Sequence, residues 1–254
     1  MHSGISRKLF ALLASLALLL PPLALARELL AVGTDFPRIF ERTAAGEYRG
    51  LGPDVLRQVL EPRGHSLRFA SYPWARAQRM VERGQADILI GPYRSPAREA
   101  RFAFVGPAFF RDRIVFYCRR ARSCQWSGDY RQLAGQRIGV VRAWAYGARF
   151  DAERARLELV TVEGVDNGLR MLSLGRLELL ASNRRNTLPV LQALGLHDEI
   201  SQLEPPVDTQ DGYFAFPLHG SHVHLREDFA EGFRQLIERG QLARLAALWQ
   251  VETP

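Results

Sequence analysis

The strongest constraint on this chain is a rhythm: short β-rich runs alternate with amphipathic helical windows, the pattern of parallel strands joined by crossover helices. Residues 28–34 read as a strand and 53–63 as a helix with Val55, Leu56, Val59 and Leu60 on one face. A strand over 66–71, a helix over 74–83 closed by Gly84 and a buried strand over 87–91 follow. After a strand over 113–119 the rhythm restarts, with strands at 137–141, 158–162 and 178–181 and helices at 146–154, 165–174 and 187–194. Two βαβαβ units therefore stand in series, an α/β chain. The end departs from the pattern, with a short strand at 212–216 and helices at 225–239 and 242–249.

With 254 residues, 47% of them hydrophobic, there is material for one large domain or two small ones, and a disordered chain is excluded. The formal net charge of +7 invites nucleic-acid binding, but the basic residues are almost all Arg, Lys8 is the sole Lys, and no basic run occurs. The charge reads as compositional bias, with no nucleic-acid partner.

Residues 1–26 read as an export signal. Arg7 and Lys8 precede an apolar run over 9–20, and Ala24-Leu25-Ala26 supplies small residues for a signal peptidase. The alternative, an uncleaved anchor, is weakened by Pro21-Pro22, which interrupts a run that would need about 20 apolar residues. A free periplasmic protein beginning near Arg27 is expected, since Cys118, the first Cys, stands too late for an N-terminal lipid anchor. In an oxidising compartment Cys118 and Cys124 are close enough in sequence to form a disulfide; two separate buried thiols are the alternative, and no zinc site is called for.

In open α/β sheets, ligands bind beyond the carboxyl ends of the strands. Those positions carry Asp35, Phe36, Tyr72, Trp74, Tyr93, Arg94 and Ser95 in the first unit. In the second they carry Arg142, Trp144, Tyr146, Glu163, Asn183 and Arg184. Aromatic faces mixed with guanidinium and amide groups suit a small polar or anionic ligand. The sharpest local cluster is Ser95-Pro96-Ala97-Arg98, read as an N-cap Ser, a Pro at the first helical position and a first-turn Arg, a receptor for carboxylate or phosphate. A capped surface helix whose Arg points to water is the alternative.

The segments GEYRGLGPDVLRQVL, YPWARAQRMVERGQADILIG and SPAREARFAFVGPAFF resemble the first lobe of the family 3 extracellular solute-binding proteins, the polar amino-acid-type binding proteins of ABC importers. LAGQRIGVVRAWAYG and GLRMLSLGRLELLASN resemble the second lobe, and the segment from Tyr213 to Trp249 resembles the family's C-terminal helices. The resemblance implies a type II periplasmic binding-protein fold, two βαβ lobes joined by a two-stranded hinge and closing on a solute. Lobe one would comprise 27–115 and 212–254, and lobe two 116–211, with crossings near 113–118 and 208–213. It further implies that Arg98, six residues before Phe104, grips a ligand carboxylate with Ser95 beside it. Phe36 and Trp74 would then cover the ligand.

The resemblance also marks departures. The residue five after Glu178, where amino-acid binders carry an aspartate for the ligand ammonium, is Asn183, and Arg142 and Trp144 stand where small residues are common. An organic acid or a modified amino acid therefore competes with an ordinary α-amino acid as the solute. The expected partners are that solute and an ABC permease or membrane receptor, with the protein a monomer. No cofactor, metal or catalytic residue is called for. Two alternatives stand beside transport: a periplasmic cyclohexadienyl dehydratase-like enzyme using Asp35 or Glu163 as acid or base, and a ligand-sensing module acting in trans. His219, His222 and His224 sit where the resembling proteins carry an exposed loop, and are read as no metal site.

Overall fold

The computed structural model describes residues 27–220 and 222–254, so the leader read over residues 1–26 lies outside the described residues. The first unit is built from β1 (Glu28–Gly33), β4 (Ser66–Ser71) and β5 (Ile88–Tyr93), in the parallel order β4-β1-β5. The second repeats that order as β8-β7-β9, with β7 (Arg137–Val141), β8 (Glu158–Val162) and β9 (Leu179–Asn183). Two long antiparallel strands, β6 (Phe102–Arg119) and β11 (Asp208–Pro217), join the units. β11 pairs with β5 over Gly212–Ala215, whereas β6 pairs with β9 from Ile114 onward, so the sheet changes partners near the middle of both strands. A hairpin of β2 (Glu41–Arg42) and β3 (Tyr48–Arg49) and a short β10 (Ile200–Gln202) on β6 complete the strands.

Both joining strands are longer than the sequence predicts. Gly106-Pro107 and the polar run from Arg111 to Arg113 disguise β6, because Pro cannot donate to a ladder and reads as a break. The structure places Gly106-Pro107 where the β6–β11 register shifts, between the Gly212–Phe110 and Phe214–Val105 pairs. Here Gly212 lies against the Phe110 ring so closely that a Cβ would fall 1.9 Å from it, which excludes any side chain without movement.

Helices cover the strands as the periodicity predicts. α1 (Leu51–Leu60) buries Leu51, Val55, Leu56, Val59 and Leu60 and packs against the C-terminal pair α7 (Val223–Glu238) and α8 (Gln241–Trp249). α2 (Trp74–Glu82) and the single turn α3 (Pro96–Glu99) complete the first half. α4 (Ala148–Glu153), α5 (Val165–Ser173) and α6 (Arg184–Ala193) serve the second. α6 begins three residues before the sequence-based start: Asn183 caps it by accepting from the Asn186 N–H at 2.8 Å, and Pro189 is tolerated within it. Phe109 stacks on Phe214 at 4.1 Å beside Phe229 and Phe233, while Phe116, Trp126, Tyr146 and Phe150 fill the other side. A disulfide joins Cys118 to Cys124 at the far end of β6. No helix among the described residues is long and apolar enough to cross a membrane.

Candidate functional site

The carboxyl ends of the parallel strands from the two halves face each other across a cavity of about 690 Å³. Its wall is formed by the loops after β1, β4, β7 and β8 and by one side of α6, including Asp35, Phe36, Trp74, Arg142, Trp144 and Glu163. A second compartment of about 20 Å³ adjoins it through Phe36, Trp74 and Trp144 and reaches Tyr93, Arg98 and Asn183. Seven of the eight residues expected to bind ligand thus converge.

Each is positioned by local structure. A tight turn, in which the Phe36 and Phe40 backbones exchange hydrogen bonds of 2.9 Å, fixes the Phe36 ring. Trp74 opens α2 directly after Pro73. Arg98 lies in the single turn α3, 7% exposed, with its guanidinium donating to the Tyr93 carbonyl at 2.9 Å and to the Ala143 carbonyl at 3.0 Å, under the Trp74 ring at 5.8 Å. Only two of its five N–H donors are used in these bonds, and among the described residues no carboxylate pairs with it. Burial pulls its pKa down to about 10, so the cation persists at neutral pH.

Three expectations need correction or refinement. Ser95 occupies the N-cap position in an extended conformation, but its side chain makes no capping bond and lines neither compartment. The four-residue helix has no terminal anion site of its own, so the positive charge there is that of the guanidinium. Arg142 lines the outer cavity, yet its charge is matched by Glu163 in a bidentate pair at 2.6–3.1 Å on the exposed rim. Asn183 reaches the inner compartment with its amide already engaged: the oxygen accepts from the Asn186 N–H, and the nitrogen donates to the Tyr93 hydroxyl at 3.0 Å. Of the other strand-end residues, Tyr146 is fully buried with its hydroxyl accepting from the Val141 N–H at 2.6 Å, and Arg94 stacks on Phe104 and Tyr213 outside the cleft.

Sequence reasoning missed Asp112 and Arg185. Asp112 is 3% exposed and takes two bonds from Arg185, at 3.0 and 2.6 Å, and one from the Tyr93 hydroxyl at 2.6 Å. Arg185 also donates to the Pro37 carbonyl at 2.5 Å, tying the two halves together. Burial, then the Asp112 charge, pushes the Tyr93 hydroxyl well above its ordinary pKa, so it stays neutral. Charge opposite charge across 73 positions leaves no local pattern to read. Among the described residues no group of three or more His, Cys, Asp or Glu could hold a metal ion. His222 contacts Asp87 at 3.0 Å, and neither residue lines the cleft.

Two α/β lobes joined by two strands, with a cleft at the carboxyl ends of both sheets, define a type II periplasmic binding-protein fold. The family profile for bacterial extracellular solute-binding proteins, family 3, matches residues 30–252, and the chain belongs to that family. No curated protein sequence matches it. Among solved structures, a histidine kinase sensor domain with similarity to periplasmic binding proteins superposes with a TM-score of 0.79 at 20% identity, covering 90% of this chain and 99% of that one. A mutant of ArgBP from T. maritima gives 0.74 at 16% identity, covering 87% and 94%. An ABC uptake transporter substrate-binding protein from Streptococcus pneumoniae with bound histidine gives 0.72 at 17% identity, covering 87% and 92%.

Proposed function

We propose that the protein captures a small carboxylate-bearing solute, an amino acid or a related organic acid, in the periplasm and presents it to an ABC-type permease. The observation that carries this reading is Arg98: a buried, charged guanidinium at the seam between the lobes, with donors to spare and no carboxylate partner among the described residues. The lobes, 27–115 with 212–254 and 116–211, close because solute contacts from both sides favour the closed state. The change of sheet partner at Ile114 and at Gly212 supports those boundaries. Phe36, Tyr93, Trp74 and Trp144 supply contact area, while Arg142 and Asn183 shape the wall as an ion pair and a fixed amide.

Binding without chemistry fits the acidic residues present. Glu163 is held below the usual carboxylate range by hydrogen bonds from Arg142, which suits an ion pair and disfavours a general acid at neutral pH. Asp35 is the remaining candidate base, and turnover of prephenate or arogenate by the purified protein would defeat the binding-only reading. Ligand sensing in trans is the second reading, because the same fold serves in a histidine kinase sensor domain. The test is mass spectrometry of co-purified solute, followed by a thermal-shift screen, since saturation raises apparent stability. Arg98→Ala is expected to weaken carboxylate binding by about 100-fold with the circular dichroism spectrum retained. Unchanged affinity would remove Arg98 from the site.

A further inference from the structure

Aromatic rings divide the cleft in two. Phe36 meets Trp74 edge to face at 5.3 Å and also meets Trp144 of the opposite lobe edge to face at 6.1 Å. All three line both the outer cavity of about 690 Å³ and the inner compartment of about 20 Å³. One water already needs ~10–15 Å³, so the inner compartment accommodates a small head group and no more. The body of any solute that reaches Arg98 must therefore lie among the rings and in the outer cavity. The apolar part of the wall there is made by Pro37, Val165, Pro189 and Val190 together with the rings, and charged side chains, among them Asp35, Arg38, Arg142 and Glu163, line the rest. A polar body would leave that apolar wall wet, whereas a ring can replace the ring-to-ring contacts it displaces.

The inner compartment restricts the head group as well. Its lining offers Arg98, unpaired by any carboxylate among the described residues, and Arg185, whose charge is matched by Asp112, and it includes no carboxylate itself. The acid bonded to that lining, Asp112, is spent on Arg185 and Tyr93, and the Asn183 oxygen is taken by the Asn186 N–H. An anion is well served here, but an ammonium beside it would meet the Arg98 cation and engaged acceptors. From this division we infer that the cognate solute is a carboxylic acid with an aromatic body and no ammonium next to the carboxylate. The inference rests on the carboxylate-capture reading and narrows it.

The test titrates the protein with indole-3-acetate and phenylacetate, with tryptophan and phenylalanine, and with arginine and glutamate, reading calorimetry and quenching of Trp fluorescence. The aryl acetates are expected to bind at least about tenfold more tightly than the four amino acids. Trp144→Ala should weaken them about tenfold, and Trp144→Phe should largely restore them. Equal or tighter binding of any of the four amino acids overturns the inference while leaving carboxylate capture standing. No saturable aryl acetate binding up to the millimolar range also overturns it, as does indifference to Trp144→Ala in a variant that keeps its melting temperature. Aryl acetate binding that survives Arg98→Ala would instead overturn the carboxylate-capture reading.

Discussion

Arg98 and Asp112 are both buried charges, and they are treated in opposite ways. Asp112 is fully paired, with Arg185 and Tyr93 occupying its oxygens, whereas among the described residues Arg98 hydrogen-bonds to carbonyl groups alone, beneath the Trp74 ring. A buried cation solvated by carbonyls alone is costly, and an incoming carboxylate would offset that cost. Glu178, at the opposite end of the second sheet, shows the structural use of the same chemistry. It accepts from the Arg137 backbone N–H at 2.7 Å and from the Arg137 guanidinium at 2.8 and 3.0 Å, and these bonds bring its pKa down to about 2. A depressed carboxyl pKa stabilises the fold above the unfolded value near 4.5, and that contribution is lost as pH falls from there towards 2. Glu178→Gln should therefore cost about 1 kcal/mol at neutral pH, a figure discounted because the Arg137 side chain is 43% exposed. The deficit should shrink in denaturant titrations as pH drops through that window. A deficit independent of pH would locate the loss in packing, not in the ion pair. Legibility at this scale follows sequence distance: Arg98 lies within a local Ser-Pro-x-Arg grammar, while Arg185 acquires meaning only when α6 meets β6.

At the scale of elements, the parallel strands and their helices were readable because each is a local amphipathic unit. β7 and β8 match their expected spans, and β1 and α5 each fall one residue short. The joining strands were not, since their pattern answers to two different sheets along one length, with first-half packing before Arg111 and second-half packing after Ile114. The segment that follows β6 is held by the bridge from Cys118 to Cys124, which spans a sequence separation of 6. Closing so short a loop is worth about 2 kcal/mol through the unfolded chain. A Cys118→Ser, Cys124→Ser variant should lose that much in urea titrations. Neither cysteine lines the cleft, so solute affinity should stay within about twofold, a difference of ~0.4 kcal/mol. A large change in affinity would mean that the bridge sets the angle at which β6 leaves the hinge.

For the whole molecule, the relevant quantity is the balance between closed and open lobes. Several contacts across the cleft belong to the protein itself: Arg98 to the Ala143 carbonyl, Asn183 to Tyr93, Arg185 to the Pro37 carbonyl, and Phe36 against Trp144. Such contacts favour closure before any solute contributes, and a solute gains apparent affinity in proportion to how often the closed state is already populated. Arg185 is the strongest of these links because it also carries the buried pair with Asp112, whose side chains are 9% and 2% exposed. Removing Arg185 alone would strand a carboxylate at a cost of roughly 3–5 kcal/mol, so the informative variant changes both, Arg185→Gln with Asp112→Asn. That variant should fold, show a larger radius of gyration than the parent by small-angle X-ray scattering without solute, and bind its solute about tenfold more weakly. Saturation should return it to the parent's compact dimensions, since the remaining contacts and the solute still span both lobes. An unchanged radius of gyration together with unchanged affinity would assign the Asp112–Arg185 pair to holding α6 against β6 and leave closure to the rings and Arg98.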